Sequence, residues 1–204
     1  MKPRPLPEVR LGRFLPLQVA LLLLLLPLRL LWGLAVSIAV HELFHILALH
    51  LLGAELLSLR LGVLGARIHA TPLTPARELL CALAGPFGGI CVMLLGRWMP
   101  AAAFCAAFHT AWNLLPVYPS DGGRALRCAL KLLLPTLWAE RLACWVQWVV
   151  LAGLLCLGWC CTFRLNMGIL PLGTAAAMVW REIRLANRAP AGYNIPIPND
   201  EVRL

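Results

Sequence analysis

The chain has 204 residues, 61% of them hydrophobic and 13% charged, and its mean hydropathy of +0.80 excludes a water-soluble globular domain and points to an all-α polytopic membrane protein of about six transmembrane helices. The net charge of +9 does not mark a nucleic-acid partner, because the cations flank apolar segments and no basic cluster is interleaved with aromatics. The eight cysteines contain no CxxC pair and sit mostly in apolar stretches, so neither a disulfide framework nor a thiolate metal site is indicated.

In chain order, the first apolar run extends from about Phe14 to Leu52. It is too long for one span, for which about 20 residues suffice. Pro27-Leu28-Arg29 supplies a turn, giving two tightly joined helices. The leucine run Leu21 to Leu26 fits a span better than a cleaved signal peptide, since no small-residue cleavage site follows and Arg29 leads into further apolar sequence. Residues 58–73, SLRLGVLGARIHATPL, change to an alternating pattern around Gly62 and Gly65. That pattern predicts a small β-hairpin between helices 2 and 3. Four further spans are predicted at about Ala76 to Leu95, Pro100 to Pro116, Leu142 to Phe163 and Met167 to Glu182. Residues 1–184 thus form one domain, and residues 185–204 a polar, Pro-rich tail.

Charge fixes the expected orientation. With six spans and the N-terminus in the cytosol, fifteen of the 18 Lys and Arg residues fall on the cytosolic side, and Arg29, Arg97 and Arg164 fall on the other. This is a strong positive-inside bias, and an odd number of spans would scramble it. The tryptophans near predicted span ends read as interfacial anchors.

The second span contains AVSIAVHELFHILALHLLGAELL, residues 35–57, with His41, Glu42 and His45 at membrane depth. Ionisable groups are rare and costly there, so they are a functional hypothesis by default. Four residues apart on a helix, His41 and His45 project from one face and can bind one zinc, while Glu42 is placed to activate a water. Without a shared ligand, each would bear its own desolvation, on the order of a few kcal/mol per unpaired charge. A catalytic zinc takes three protein ligands, and WNLLPVYPSDGGRAL, residues 112–126, offers Asp121 at the end of the fourth span. His50 and His69 read as interfacial or solvated; His109, four residues before Asn113 on the same helix face, could approach the site but reads first as a bundle-facing hydrogen-bonding residue.

HELFH at 41–45, AGPFGG at 84–89 and NLLPVYPSDGGR at 113–124 occur in this order along the chain. Together they resemble the site-2 proteases, the intramembrane zinc metalloproteases of peptidase family M50, and within them the small bacterial sporulation-type branch. The resemblance covers about Phe14 to Arg184. It implies His41, His45 and Asp121 as ligands of one Zn²⁺ per chain, Glu42 as the catalytic glutamate, and Asn113 and Pro116 as residues lining the substrate path. Gly85-Pro86 matches a helix break in the third span. The sequence departs from the family's frequent pattern at Phe44, often Gly, and Ser120, often Leu; neither change removes a ligand.

The activity so implied is hydrolysis of a membrane-associated or membrane-spanning protein near the cytosolic face, releasing a regulator such as a transcription factor. The implied setting is a bacterial cell membrane crossed several times with both termini cytosolic, and the implied partners are the bilayer, the protein substrate and membrane regulatory proteins, with no nucleic acid. A substrate helix must unwind to be cut, and the hairpin edge at Arg60 to Thr71 is a candidate to hold the extended strand. A metal-ion transporter would leave Glu42 without a role and shows no second metal-binding constellation. A catalytically inactive scaffold would not need all four catalytic positions.

Overall fold

A computed structural model describes residues 8–11, 15–62, 65–71 and 73–188. Residues 189–204, most of the expected tail, lie outside the described residues. The chain divides into two compact units, residues 1–115 and 116–204.

The first unit begins with β1 (Glu8–Leu11) and α1 (Leu15–Leu25), followed by α2 (Leu28–Leu51). Pro27 separates the two helices with φ −58° and ψ 145°. Its ring fixes φ and disfavours helix in the residue before it, so the chain breaks there although both sides are apolar. After α2 come β2 (Leu56–Gly62) and β3 (Gly65–Ala70), paired antiparallel with Arg60 opposite Arg67. Main-chain and side-chain bonds between Glu55 and Thr71, both 3.0 Å, close the base of the pair. β1 adds to β2 in parallel, Glu8 opposite Ser58, so the sheet order is β1-β2-β3. That third strand was not anticipated: it lies in a charged, Pro-flanked stretch and pairs with residues 50 positions away.

α3 (Pro75–Leu94) and α4 (Pro100–Asn113) complete the unit and pack on α2 and on each other. Val92, Ala102 and Ala106 form a small buried core, with Val36, Val40, Met93 and Met99 around it. The helices approach closely because the contact residues are small. A Cβ at Gly33 would stand 2.7 Å from the Ala101 backbone. Gly33 meets Ala101 and Ala102, and further along both helices His41 meets His109, so α2 and α4 run in the same direction.

The second unit holds α5 (Asp121–Leu133), α6 (Thr136–Phe163) and α7 (Leu170–Arg188). Ser120 caps α5 by accepting from the Gly123 amide. α5 was not anticipated, because Arg124, Arg127 and Lys131 make its sequence read as a solvated connection. Two of these cations instead meet Glu140 of α6, Lys131 at 2.7 Å and Arg127 at 3.4 Å. α6 packs on α7, with Gly158 against the Pro171 carbonyl.

Three described helices are long and apolar enough to cross a membrane: α2, α3 and α6. Six spans are not shown among the described helices: α7, at 19 residues, is long enough but not apolar enough, and α1 and α4 are short. At about 1.5 Å per residue, the 11 residues of α1 and the 14 of α4 fall short of a hydrocarbon core of about 30 Å. The apolar runs that suggested full spans there continue into loop residues, and Pro27 and the turn after Asn113 end the helices early.

Candidate metal centre

The buried residues of α2 are Gly33, Ser37, His41, His45 and Leu49, one every four positions. This narrow stripe is polar at its centre, while Leu43 and Leu47 on the outer face are exposed. A helix that turns histidines inward and leucines outward is arranged for surroundings less polar than its own interior. Glu42, next to the stripe, is half-buried.

His41 and His45 are 2% and 6% exposed. Their Nε2 atoms stand 3.2 Å apart and their rings meet edge-on with centroids at 4.8 Å. His45 Nδ1 lies 2.8 Å from the Cys81 carbonyl. A carbonyl only accepts, so Nδ1 carries the hydrogen and Nε2 presents its lone pair, the tautomer a metal-ligating histidine needs. Two imidazoles on one tetrahedral zinc, each bonded at about 2.0–2.1 Å, place their nitrogens roughly 3.3 Å apart. The observed separation matches.

α3 makes room for this pair. A Cβ at Gly85 would overlap His45 Nε2 and stand 2.7 Å from His41 Nε2. Pro86 lies inside the same helix and has no N–H, so the ladder is interrupted one turn from the carbonyl that accepts from His45. Gly88 and Gly89 likewise leave no room for a side chain, the first against the Phe44 ring and the second against Thr110 Oγ1. From α4, the buried His109 sets its ring edge against His41, with centroids 4.7 Å apart.

The other expected site residues are placed as follows. Asn113 ends α4, is half-buried and donates from Nδ2 to the His109 carbonyl at 3.0 Å, back along its own helix. Pro116 is half-buried in the second unit. Asp121 opens α5 and is buried, its carboxylate at the end of the helix where a negative charge is favoured; Arg124 Nη1 is 3.8 Å from its Oδ1. His41 and His45 in the first unit and Asp121 in the second are each buried, and each offers one atom able to ligate a metal. Imidazole and carboxylate donors both suit zinc.

Two features at the histidines escape a motif search. The Cys81 contact is made by the main chain, so residue type carries no sign of it, and Gly85 matters for what it lacks. In the second unit, Gln147 and Glu182 are buried in a polar network around Tyr118. They stand 26 and 61 positions after Asp121, too far for any local pattern to reveal.

Apolar helices with a buried histidine pair between them mark a helical membrane protein. No family model and no curated protein matches the chain. Among solved structures, the Site-2 Protease from Methanocaldococcus jannaschii has a similar fold, with a TM-score of 0.57 at 20% identity, over 84% of this chain and 87% of that one.

Proposed function

We propose that this chain is an intramembrane zinc metalloendopeptidase of the site-2 protease type, of the small sporulation-type branch, cutting a membrane-associated or membrane-spanning protein near the cytosolic face and so releasing a regulator. The observation that carries the reading is the histidine pair: Nε2 atoms 3.2 Å apart, one ring fixed by the Cys81 carbonyl, and Gly85 leaving the space beside both. The shared fold supports it.

In this reading His41, His45 and Asp121 hold the zinc. When bound, zinc lowers the pKa of a water to about 7 and polarises a carbonyl. Glu42, the neighbour of His41 in α2, is the general base; it takes the proton of the attacking water and passes it to the leaving nitrogen. No covalent intermediate is needed. Asn113 and Pro116 line the path of the substrate. β3 is an edge strand of the sheet, and its outer edge takes up the unwound substrate as an added strand. The distribution of Lys and Arg supports cytosolic termini in a bacterial membrane.

The test is co-expression with candidate single-span membrane proteins. Cleavage products present with the wild type and missing with Glu42→Gln support the reading, and identical products from both remove Glu42 from the chemistry. Prolines placed within Arg67 to Ala70 should reduce cleavage while sparing zinc content. Cleavage at the wild-type rate in those variants removes the sheet edge from the mechanism.

A further inference from the structure

The loop that leads into α5 is held on both sides of one residue. The Tyr118 amide donates to Gln147 Oε1 of α6 at 3.1 Å, and Arg181 Nη2 of α7 donates to the Tyr118 carbonyl at 3.3 Å. Gln147 Nε2 donates in turn to Glu182 Oε2 at 2.9 Å, and Arg181 donates to Glu182 Oε1 from Nε at 3.2 Å and from Nη2 at 3.1 Å. Arg127 of α5 reaches Gln147 Oε1 at 3.4 Å, with its guanidinium 4.6 Å over the Tyr118 ring. Because a carboxylate only accepts, the Gln147 amide is oriented without ambiguity: nitrogen toward Glu182, oxygen toward Tyr118.

Gln147 and Glu182 are each 6% exposed. A buried amide and a buried carboxylate in apolar helices cost more than the leucines that would fill the same space, so packing alone does not account for them. What they hold is a short rigid lead-in to Asp121. Ser120 Oγ donates to the Val117 carbonyl at 2.6 Å, and a Cβ at Gly123 would meet the Tyr118 amide nitrogen at 2.5 Å and the Val117 carbonyl carbon at 2.6 Å. The segment from Val117 to Gly123 therefore moves as one piece.

We propose that Gln147 and Glu182 are positioning residues for Asp121. Glu182 orients the Gln147 amide, Gln147 fixes the Tyr118 backbone, and the rigid segment sets the place of the Asp121 carboxylate. The inference rests on the reading of Asp121 as a zinc ligand. It assigns α6 and α7, which carry none of the proposed ligands, a share in the metal centre.

The experiment uses the full chain in detergent, with zinc affinity measured by chelator competition and hydrogen exchange followed at the Tyr118 amide. Gln147→Leu keeps the volume and removes all three bonds of Gln147; it should weaken zinc binding by about 10-fold, the lower end of what losing a partner of a ligand costs, and speed exchange at Tyr118. Gln147→Glu alone restores an acceptor for Tyr118 but sets two carboxylates face to face, and should also bind zinc weakly. The paired exchange, Gln147→Glu with Glu182→Gln, again sets a donor against an acceptor and should return affinity to within a few-fold of wild type. Should Gln147→Leu fail to accumulate, Glu182→Gln alone should weaken zinc binding several-fold.

Wild-type zinc affinity in Gln147→Leu, or in Glu182→Gln where that variant is used, overturns the inference, as does a paired exchange no better than Gln147→Glu. A wild-type chain that binds no zinc overturns the metal reading and this inference with it, whereas tight zinc binding by both wild type and Gln147→Leu overturns this inference alone.

Discussion

Replacing Gly85 with alanine adds one methyl group at the point where α3 passes closest to both histidines. The new carbon would overlap His45 Nε2 and stand 2.7 Å from His41 Nε2 and from His45 Cε1. Ordinary contact needs about 3.4 Å or more, so the His45 ring must move by on the order of 1 Å, or the helices must part. Ring movement works against the 2.8 Å bond to the Cys81 carbonyl; parting the helices opens a close-packed interface, and overpacking of this kind costs about 1–3 kcal/mol. A displacement of roughly 1 Å at a reacting centre costs about 100-fold in rate, so Gly85→Ala should lose cleavage by about that factor and bind zinc more weakly than wild type. The comparison is Gly88→Ala, three residues on, whose added carbon meets the Phe44 ring at 2.8 Å. Phe44 Cβ, at 3.1 Å, is fixed to the α2 backbone and must give by a few tenths of an ångström, but no histidine atom is touched, so zinc affinity should fall far less than in Gly85→Ala. Chelator competition on both variants decides the matter: equal, wild-type-like affinity in Gly85→Ala would show that the gap at Gly85 does not serve the histidines.

The other expectations concern chemistry and packing separately. Glu42→Gln should retain zinc at wild-type stoichiometry while cleavage falls by about 10²–10⁴-fold, the contribution of a positioned base; metal analysis beside a cleavage assay reads both. Glu140→Ala takes the buried acceptor from Lys131 and Arg127 and should destabilise the protein by about 3 kcal/mol, seen as a lower thermal midpoint in detergent; an unchanged midpoint would mean that solvent already screens the two cations. Gly123→Ala drives a methyl group into the Val117 and Tyr118 main chain, which cannot rotate away, and should lower both stability and zinc affinity. In Gly153→Ala the added carbon meets nothing within 4 Å, so the exchange of a mid-helix glycine should raise stability by about 0.5–1 kcal/mol.

The long apolar helices were legible because a run of some 20 apolar residues has few alternatives, and α2, α3 and α6 lie where those runs lie. Pro27 marked the break between α1 and α2 by its local stereochemistry alone. The alternating stretch at 58–73 covers β3 and all of β2 but its first two residues, Leu56 and Leu57, whereas β1 could not be read, since strand pairing across two helices leaves no local trace. α5 was missed for a related reason. Its cations suggest solvent until Glu140, 9 positions beyond Lys131 and in the next helix, is seen to meet them. At the site, spacing was enough to set His41 and His45 on one helix face, because a four-residue interval is a property of the helix itself. The acceptor on His45, the gap at Gly85 and the clamp on Tyr118 depend on how separate elements meet, and no window along the chain contains them.

The bond from His45 to a peptide carbonyl leaves the acceptor unchanged when Cys81 is exchanged for another small residue. The peptide oxygen is the same whatever small side chain stands there, so Cys81→Ala or Cys81→Ser should leave the centre intact, and such exchanges would score as tolerated although the position anchors a histidine; its 3% exposure limits this to small residues. The contact depends on neighbours that shape the path of the helix, Gly85 and Pro86 among them, rather than on the side chain of the residue that makes it.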